Sequence, residues 1–295
     1  MSAWLPSAPC TPQACVALPP ATVSLVRRVL RCLAGFTLLA AGIALAPLVR
    51  RLPAPLGAPL VRGWSLTVAA ALGVRVRATG AAEAGRGGAL VVANHISWLD
   101  ILLIAAVRPG RMLAKSEVAR WPVAGRFVAW GGTLFIDRDR LRSLPGTVGE
   151  IGAVLRRGGR VVVFPEGSTW CGRGGGGRFR PALFQAAIDA GVPVQPVTIR
   201  YRLTDGSATS APAFVGDDGM LSSVWRVVGA RGLVGELQLA GPITASPHVG
   251  RRVLAQAAQA AVERRACGGP VPPHTVRPTP AAAGVAPRRR AARWA

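Results

Sequence analysis

Between Val74 and Leu239 short apolar runs recur, closed off by glycine, proline or charge: Val74 to Ala78, Ala89 to Ala93, Thr133 to Ile136, Arg160 to Phe164, Val194 to Tyr201 and Leu233 to Leu239. Runs of that length and composition are strands. The stretches between them have a different period. In Thr147 to Arg157 the residues Val148, Ile151, Val154 and Leu155 share one face, arginines fill the last turn, and Gly158 and Gly159 end it, which specifies a helix. Pro181 to Ala190 follows suit, with Leu183, Phe184, Ala187 and Ile188 as the buried stripe. A last helix is expected over Val249 to Arg265. Strands alternating with helices predict one α/β domain over residues 74–265.

The flanks differ. Residues 1–24 carry Pro6, Pro9, Pro12, Pro19 and Pro20 with no period of 2 or 3.6, which predicts a disordered lead. Residues 25–73 read as a membrane-docking helical hairpin. Its first arm, Leu33 to Val49, has no charge and is bracketed by Arg27, Arg28 and Arg31 before and Arg50 and Arg51 after. As a helix that run is about 25 Å long, slightly short of a hydrocarbon core of about 30 Å, so it spans thinly, enters and returns, or lies along the interface. The second arm is interrupted by Pro53, Pro55, Pro59 and Arg62, which suits an interfacial or core-packed helix. A secretory signal fits less well, because Pro47 directly follows Ala44-Leu45-Ala46 and a long segment precedes the apolar run. Residues 266–295 are a Pro-rich basic tail with nothing to build a core from.

Charge narrows the partners. With 36 Lys+Arg against 13 Asp+Glu, a formal net charge of +23, the chain favours nucleic acid or an anionic membrane surface. It has no RNP-like aromatic block and only one tyrosine, so base stacking is poorly served and no nucleic-acid partner is expected. The bilayer surface remains. The five cysteines are scattered without a C-x-x-C pair, which supports neither a disulfide framework nor a zinc knuckle. No metal is expected.

Chemistry concentrates after the strand ALVVA, in Asn94-His95-Ile96-Ser97-Trp98-Leu99-Asp100. His95 and Asp100 cannot share a face of a regular helix, since five steps leave them about 140° apart. A strand-to-helix turn can join them. If Asp100 points back from the first helical turn, it accepts the imidazole Nδ1 proton and leaves Nε2 as a base. A histidine that merely caps or packs at a strand end is the competing reading.

The motif has company: Ala114-Lys115-Ser116-Glu117, Trp121-Pro122-Val123-Ala124-Gly125, Phe135-Ile136-Asp137-Arg138, Phe164-Pro165-Glu166-Gly167-Ser168 and Val192-Pro193-Val194-Gln195-Pro196-Val197. In this order and spacing the chain resembles the glycerolipid acyltransferase family, which includes bacterial 1-acyl-glycerol-3-phosphate acyltransferases. The resemblance implies a single mixed-sheet domain with helices on its faces, at the cytoplasmic face of the cell membrane. It also implies transfer of a fatty acyl group from acyl-CoA or acyl carrier protein, as co-substrate and without a further cofactor, to the hydroxyl of a lysolipid acceptor. Acylation of 1-acyl-glycerol-3-phosphate to phosphatidate is the leading expectation. His95 matches the family's general base and Asp100 its orienting partner. Arg138, Glu166, Gly167, Ser168 and Lys115 match acceptor-binding positions.

The residues suit that chemistry, which needs a deprotonated alcohol, a stabilised oxyanion and a cationic seat for an anionic head group. No G-x-S-x-G elbow is present, which favours direct attack over a covalent acyl-enzyme. Taken without the family, Asp137-Arg138-Asp139-Arg140 also suits a surface charge cluster. One departure bears on the acceptor: many relatives place an arginine right after the FPEG-Thr turn, where this chain reads Gly167-Ser168-Thr169-Trp170. The segment Arg178-Phe179-Arg180-Pro181-Ala182-Leu183-Phe184 is similar to relatives that acylate lyso-ornithine lipids, the alternative acceptor. A non-catalytic basic lipid-binding membrane protein is the alternative of another class. Gly172 to Gly177 fits G-x-G-x-x-G literally but lacks the strand-to-helix junction and the later acidic residue of a dinucleotide site; it reads as a loop over the site.

Overall fold

The computed structural model of the chain describes residues 8–49, 51–80, 87–119, 132–137, 140–173, 176–246 and 248–266. The strands are β1 (Val74–Thr79), β2 (Ala89–Ala93), β3 (Arg111–Lys115), β4 (Leu134–Ile136), β5 (Arg160–Val163), β6 (Val194–Leu203) and β7 (Leu233–Leu239). They form one mixed sheet in the order β1-β7-β6-β2-β5-β3-β4, parallel throughout except for the antiparallel pair β6 and β7. The helices, numbered in chain order, are α1 (Pro12–Cys15), α2 (Leu25–Val49), α3 (Ala54–Ala71), α4 (Leu99–Val107), α5 (Ser116–Ala119), α6 (Leu144–Arg156), α7 (Phe184–Ala190), α8 (Met220–Gly229) and α9 (Arg251–Ala266).

The middle strand β2 is apolar along its whole length because both faces of the sheet are covered there. In β2, Val91 and Ala93 face a core shared with Leu103 of α4, Ile199 of β6 and Val228 of α8. Leu90 and Val92 face the other way, toward Ile151 and Leu155 of α6, Phe184 of α7 and Leu254 of α9. The strand period of two thus sorts one sequence run into two cores.

The lead departs from expectation. Residues 8–24 lie against the domain: the Ala17 N–H donates to Ser210 Oγ at 3.0 Å, the Val23 N–H to the Gly229 carbonyl at 3.0 Å, and the Arg231 N–H to the Ala21 carbonyl at 3.0 Å. Proline removes local period but not backbone donors and acceptors at its neighbours, so the segment is fastened by its main chain rather than by an amphipathic face. The remainder of the expected lead, residues 1–7, and the tail from 267 onward lie outside the described residues.

Helix α2 begins well before the uncharged run and carries Arg27, Arg28 and Arg31 in its first two turns. Arg31 donates to the carbonyls of Val228 and Ala230 at 2.8 and 3.0 Å, where a cation meets the negative end of α8. Arg28 lies over the ring of Trp225, 5.4 Å from its centroid. Farther along, α2 packs on α3 and its C-cap through Gly42 and Gly35, where an added Cβ would collide with Trp64 and Leu72 respectively. The Trp64 Nε1–H donates to the Leu38 carbonyl at 2.9 Å. The helix is long and apolar enough to cross a membrane, and Leu30, Leu33, Phe36, Leu45 and Leu48 are exposed along it.

Candidate active site

Sheet order explains why residues distant in sequence meet. β2, β5 and β3 are adjacent and parallel, so the segments leaving their carboxyl ends emerge on one edge, the usual place for a site in an open α/β sheet. Val92 pairs with Val163 and Met112 with Val162. Continued beyond the strands, that register sets His95 level with Glu166 and Lys115 level with Pro165.

At the end of β2 the chain turns before α4 starts at Leu99. Asn94 holds the turn to β6: its Nδ2 donates to the Ile199 carbonyl at 3.0 Å, and the Ile199 N–H donates to its Oδ1 at 2.8 Å. The side-chain amide thereby extends the β2–β6 ladder past its last backbone pair, Ala93 with Val197. Asp100 sits in the first turn of α4 and points back. Its Oδ2 lies 2.9 Å from His95 Nδ1 and accepts the N–H groups of Ile96 and Ser97 at 2.7 and 2.9 Å. Its Oδ1 accepts the Tyr201 hydroxyl at 2.6 Å.

Four donors therefore face a carboxylate whose side chain is 0% exposed. In such surroundings Asp100 acts as an acceptor on both oxygens, which places the proton of His95 on Nδ1 and leaves Nε2 with its lone pair. The imidazole is 21% exposed, enough for its outer nitrogen to meet a substrate. It stacks on Phe164, with centroids 4.0 Å apart and planes 12° from parallel. Burial and the Asp100 charge hold the Tyr201 hydroxyl well above the ordinary phenol range, so it remains a donor.

The turn after β5 closes the site from the other side. The Gly167 N–H donates to the Phe164 carbonyl at 3.1 Å, and Gly167 has φ 78°, a conformation natural to glycine. Glu166 is 4% exposed, and its Oε2 accepts the backbone N–H of His95 at 2.8 Å. Burial pushes its carboxyl up to about 8; the N–H groups of His95 and Gly177 oppose that rise and the Asp100 charge adds to it. Gly176 leaves room for Oε1, since a side chain there would collide with it. The Trp170 N–H donates to the His95 carbonyl at 2.7 Å. Both polar groups of the His95 main chain are thus bound by the segment 166–170.

The sequence-nominated residues divide accordingly. His95, Asp100, Glu166 and Gly167 form one constellation, with Ser168 half-buried immediately after it. Lys115 is exposed at the end of β3, on the same edge of the sheet. Arg138 and Trp121 to Gly125 lie outside the described residues. Tyr201, Asn94 and Phe164 also build the site and were not singled out as functional. Tyr201 is legible only as the last residue of the strand expected over Val194 to Tyr201. A cavity between β1, β6 and β7, lined by Arg77, Thr198, Arg200 and Glu236 among others, shares no residue with this constellation.

A family model described as Acyltransferase matches residues 74–200, which contain the whole constellation except Tyr201. The chain is 40% identical over 262 residues to a lyso-ornithine lipid O-acyltransferase of Pseudomonas aeruginosa, covering 85% of this chain and 98% of that one. The chain belongs to the glycerolipid acyltransferase family. This acyltransferase is also 39% identical over 166 residues to a 1-acyl-sn-glycerol-3-phosphate acyltransferase of Neisseria meningitidis, over 56% of this chain and 64% of that one. Its fold is similar to that of the 1-acyl-sn-glycerophosphate acyltransferase of Thermotoga maritima, with a TM-score of 0.62 at 20% identity, covering 82% of this acyltransferase and 95% of the other chain. It is an acyltransferase of the lysophospholipid type.

Proposed function

We propose that this acyltransferase moves a fatty acyl group from a thioester, acyl-CoA or acyl carrier protein, to the free hydroxyl of a lyso-ornithine lipid, with His95 as general base. The observation that carries the chemistry is the contact between His95 Nδ1 and Asp100 Oδ2. Nε2 takes the hydroxyl proton as the oxygen attacks the thioester carbonyl. The C–O bond forms, the tetrahedral oxyanion collapses, the C–S bond breaks, and the thiolate receives the proton back from Nε2. Asp100 stabilises the imidazolium between those steps without taking its proton.

The acceptor assignment rests on the nearly end-to-end match to the Pseudomonas lyso-ornithine lipid enzyme. It also rests on Ser168-Thr169-Trp170, where many relatives carry an arginine suited to a phosphate. A second reading, 1-acyl-glycerol-3-phosphate to phosphatidate, is favoured by the Neisseria relative and by Phe135-Ile136-Asp137-Arg138. Glu166 serves in this reading by fixing the His95 main chain, with Arg138 and Lys115 drawing an anionic head group. The exposed apolar side of α2 docks the enzyme at the membrane, on the cytoplasmic face where thioester donors are made, and the exposed Arg27 of its first turn meets the anionic surface. No cofactor beyond the donor is required by these steps.

Washed membranes containing the enzyme, supplied with acyl-CoA or acyl carrier protein donor and a panel of lysolipids, test the assignment. Transfer to lyso-ornithine lipid well above transfer to lysophosphatidate supports the first reading. The reverse order establishes the second, and transfer to neither removes both.

A further inference from the structure

Five scattered cysteines gave no metal pattern in the sequence, but the fold gathers three of them: the sulfurs of Cys10, Cys15 and Cys171 lie within 4.8 Å of one another. We propose that this trio binds a thiophilic metal ion, Zn²⁺ in the first instance, which ties the N-terminal lead to the loop that follows the Phe164–Gly167 turn. Three sulfurs at about 2.3 Å from a tetrahedral zinc sit roughly 3.8 Å apart, so side-chain rotation alone closes the observed cluster on an ion. All three donors are sulfur, which selects Zn²⁺ over Mg²⁺ or Ca²⁺. The trio would supply three of the four tetrahedral positions, leaving the fourth to water.

The frame is fixed on both sides. Cys10 and Cys15 are separated by four residues, a spacing common to paired zinc thiolates. The short helix between them is capped by Thr11, whose Oγ1 accepts the Ala14 N–H at 3.4 Å and whose carbonyl accepts the Cys15 N–H at 3.0 Å. Cys10 is buried in the core with Val215 and Ile96, and all three cysteines are free thiols. Three thiolates around a divalent ion leave a net charge of −1, and the Arg173 guanidinium acts electrostatically on Cys15 to offset it. Cys171 directly follows Trp170, whose N–H holds the His95 carbonyl at 2.7 Å. The ion would therefore brace the catalytic turn from behind without entering the reaction.

Two measurements on the full-length protein test this. After treatment with chelator and reductant, alkylation of each cysteine is followed by mass spectrometry with and without added Zn²⁺. Protection of Cys10, Cys15 and Cys171 but not of Cys32 is expected. Titration with Co²⁺ should give a thiolate charge-transfer band and tetrahedral d–d bands at one ion per chain, lost in Cys171→Ser and retained in Cys32→Ser. Any of three results overturns the proposal: alkylation indifferent to Zn²⁺, bands that survive Cys171→Ser, or a disulfide joining two of the trio in protein purified without oxidant. The alkylation arm uses the wild-type chain, so a variant that folds poorly does not blunt the test.

Discussion

Tyr201 Oη donates to Asp100 Oδ1 at 2.6 Å across 101 residues of sequence. The carboxylate that orients His95 is thereby pinned from β6 as well as by its own turn. Tyr201→Phe removes one donor from a buried anion, a loss on the order of 1.5–3 kcal/mol. The same substitution loosens the imidazole, and acyl transfer should fall by roughly tenfold, since about 1.4 kcal/mol is a factor of ten in rate. Denaturant unfolding and initial rates measured on the same preparation check both. Full stability and full activity together would reduce Tyr201 to packing.

Glu166 titrates from an ordinary value of 4.5 when free to about 8 in the folded protein. The folded state therefore holds a proton that the unfolded chain has lost between those values, and stability falls as pH rises through that window. Glu166→Gln imitates the protonated form. The variant should match the wild type at pH 4.5 and gain on it progressively toward pH 9, by up to a few kcal/mol. Melting curves across that range measure the difference, and parallel curves for the two proteins would contradict it.

Arg138→Ala should weaken a phosphate-bearing lysolipid by roughly ten- to a hundredfold in kcat/KM, the scale of one or two charge-assisted bonds. A phosphate-free acceptor should lose much less. Equal losses would mean that Arg138 holds structure rather than head group.

Phe36 is 75% exposed on the apolar side of α2. Phe36→Glu places a carboxylate there without touching the Gly35 and Gly42 contacts to α3, at a cost of about 2.5–3.5 kcal/mol if that position lies deep in the bilayer. Flotation with anionic vesicles should then recover much less of the variant than of the wild type. Unchanged flotation would move the membrane contact elsewhere on the molecule.

Ala89–Ala93 and Leu233–Leu239 are legible in the sequence as strands because nearly all of each run is buried. β3 escaped notice because Arg111 and Lys115 sit exposed at its ends and only its middle is covered. The pairing of His95 with Asp100 was legible because both lie in one local turn. Tyr201, Asn94 and the cysteine trio were not, because each depends on contacts between segments distant in sequence: β2 with β6, or the lead with the loop after β5. The lead, expected to be disordered, illustrates the same limit, since it is held by main-chain bonds and a few isolated side chains such as Cys10 and Val23 that leave no periodic trace.

In the proposed mechanism the Nε2 of His95, freed by the bond from Nδ1 to Asp100, accepts the lipid hydroxyl proton. Acyl transfer by His95→Ala on washed membranes, with folding checked by thermal melt, tests it most directly. A loss of roughly a hundredfold or more in a folded protein is the result expected of a positioned general base. Turnover equal to the wild type in that variant would remove His95 from the chemistry.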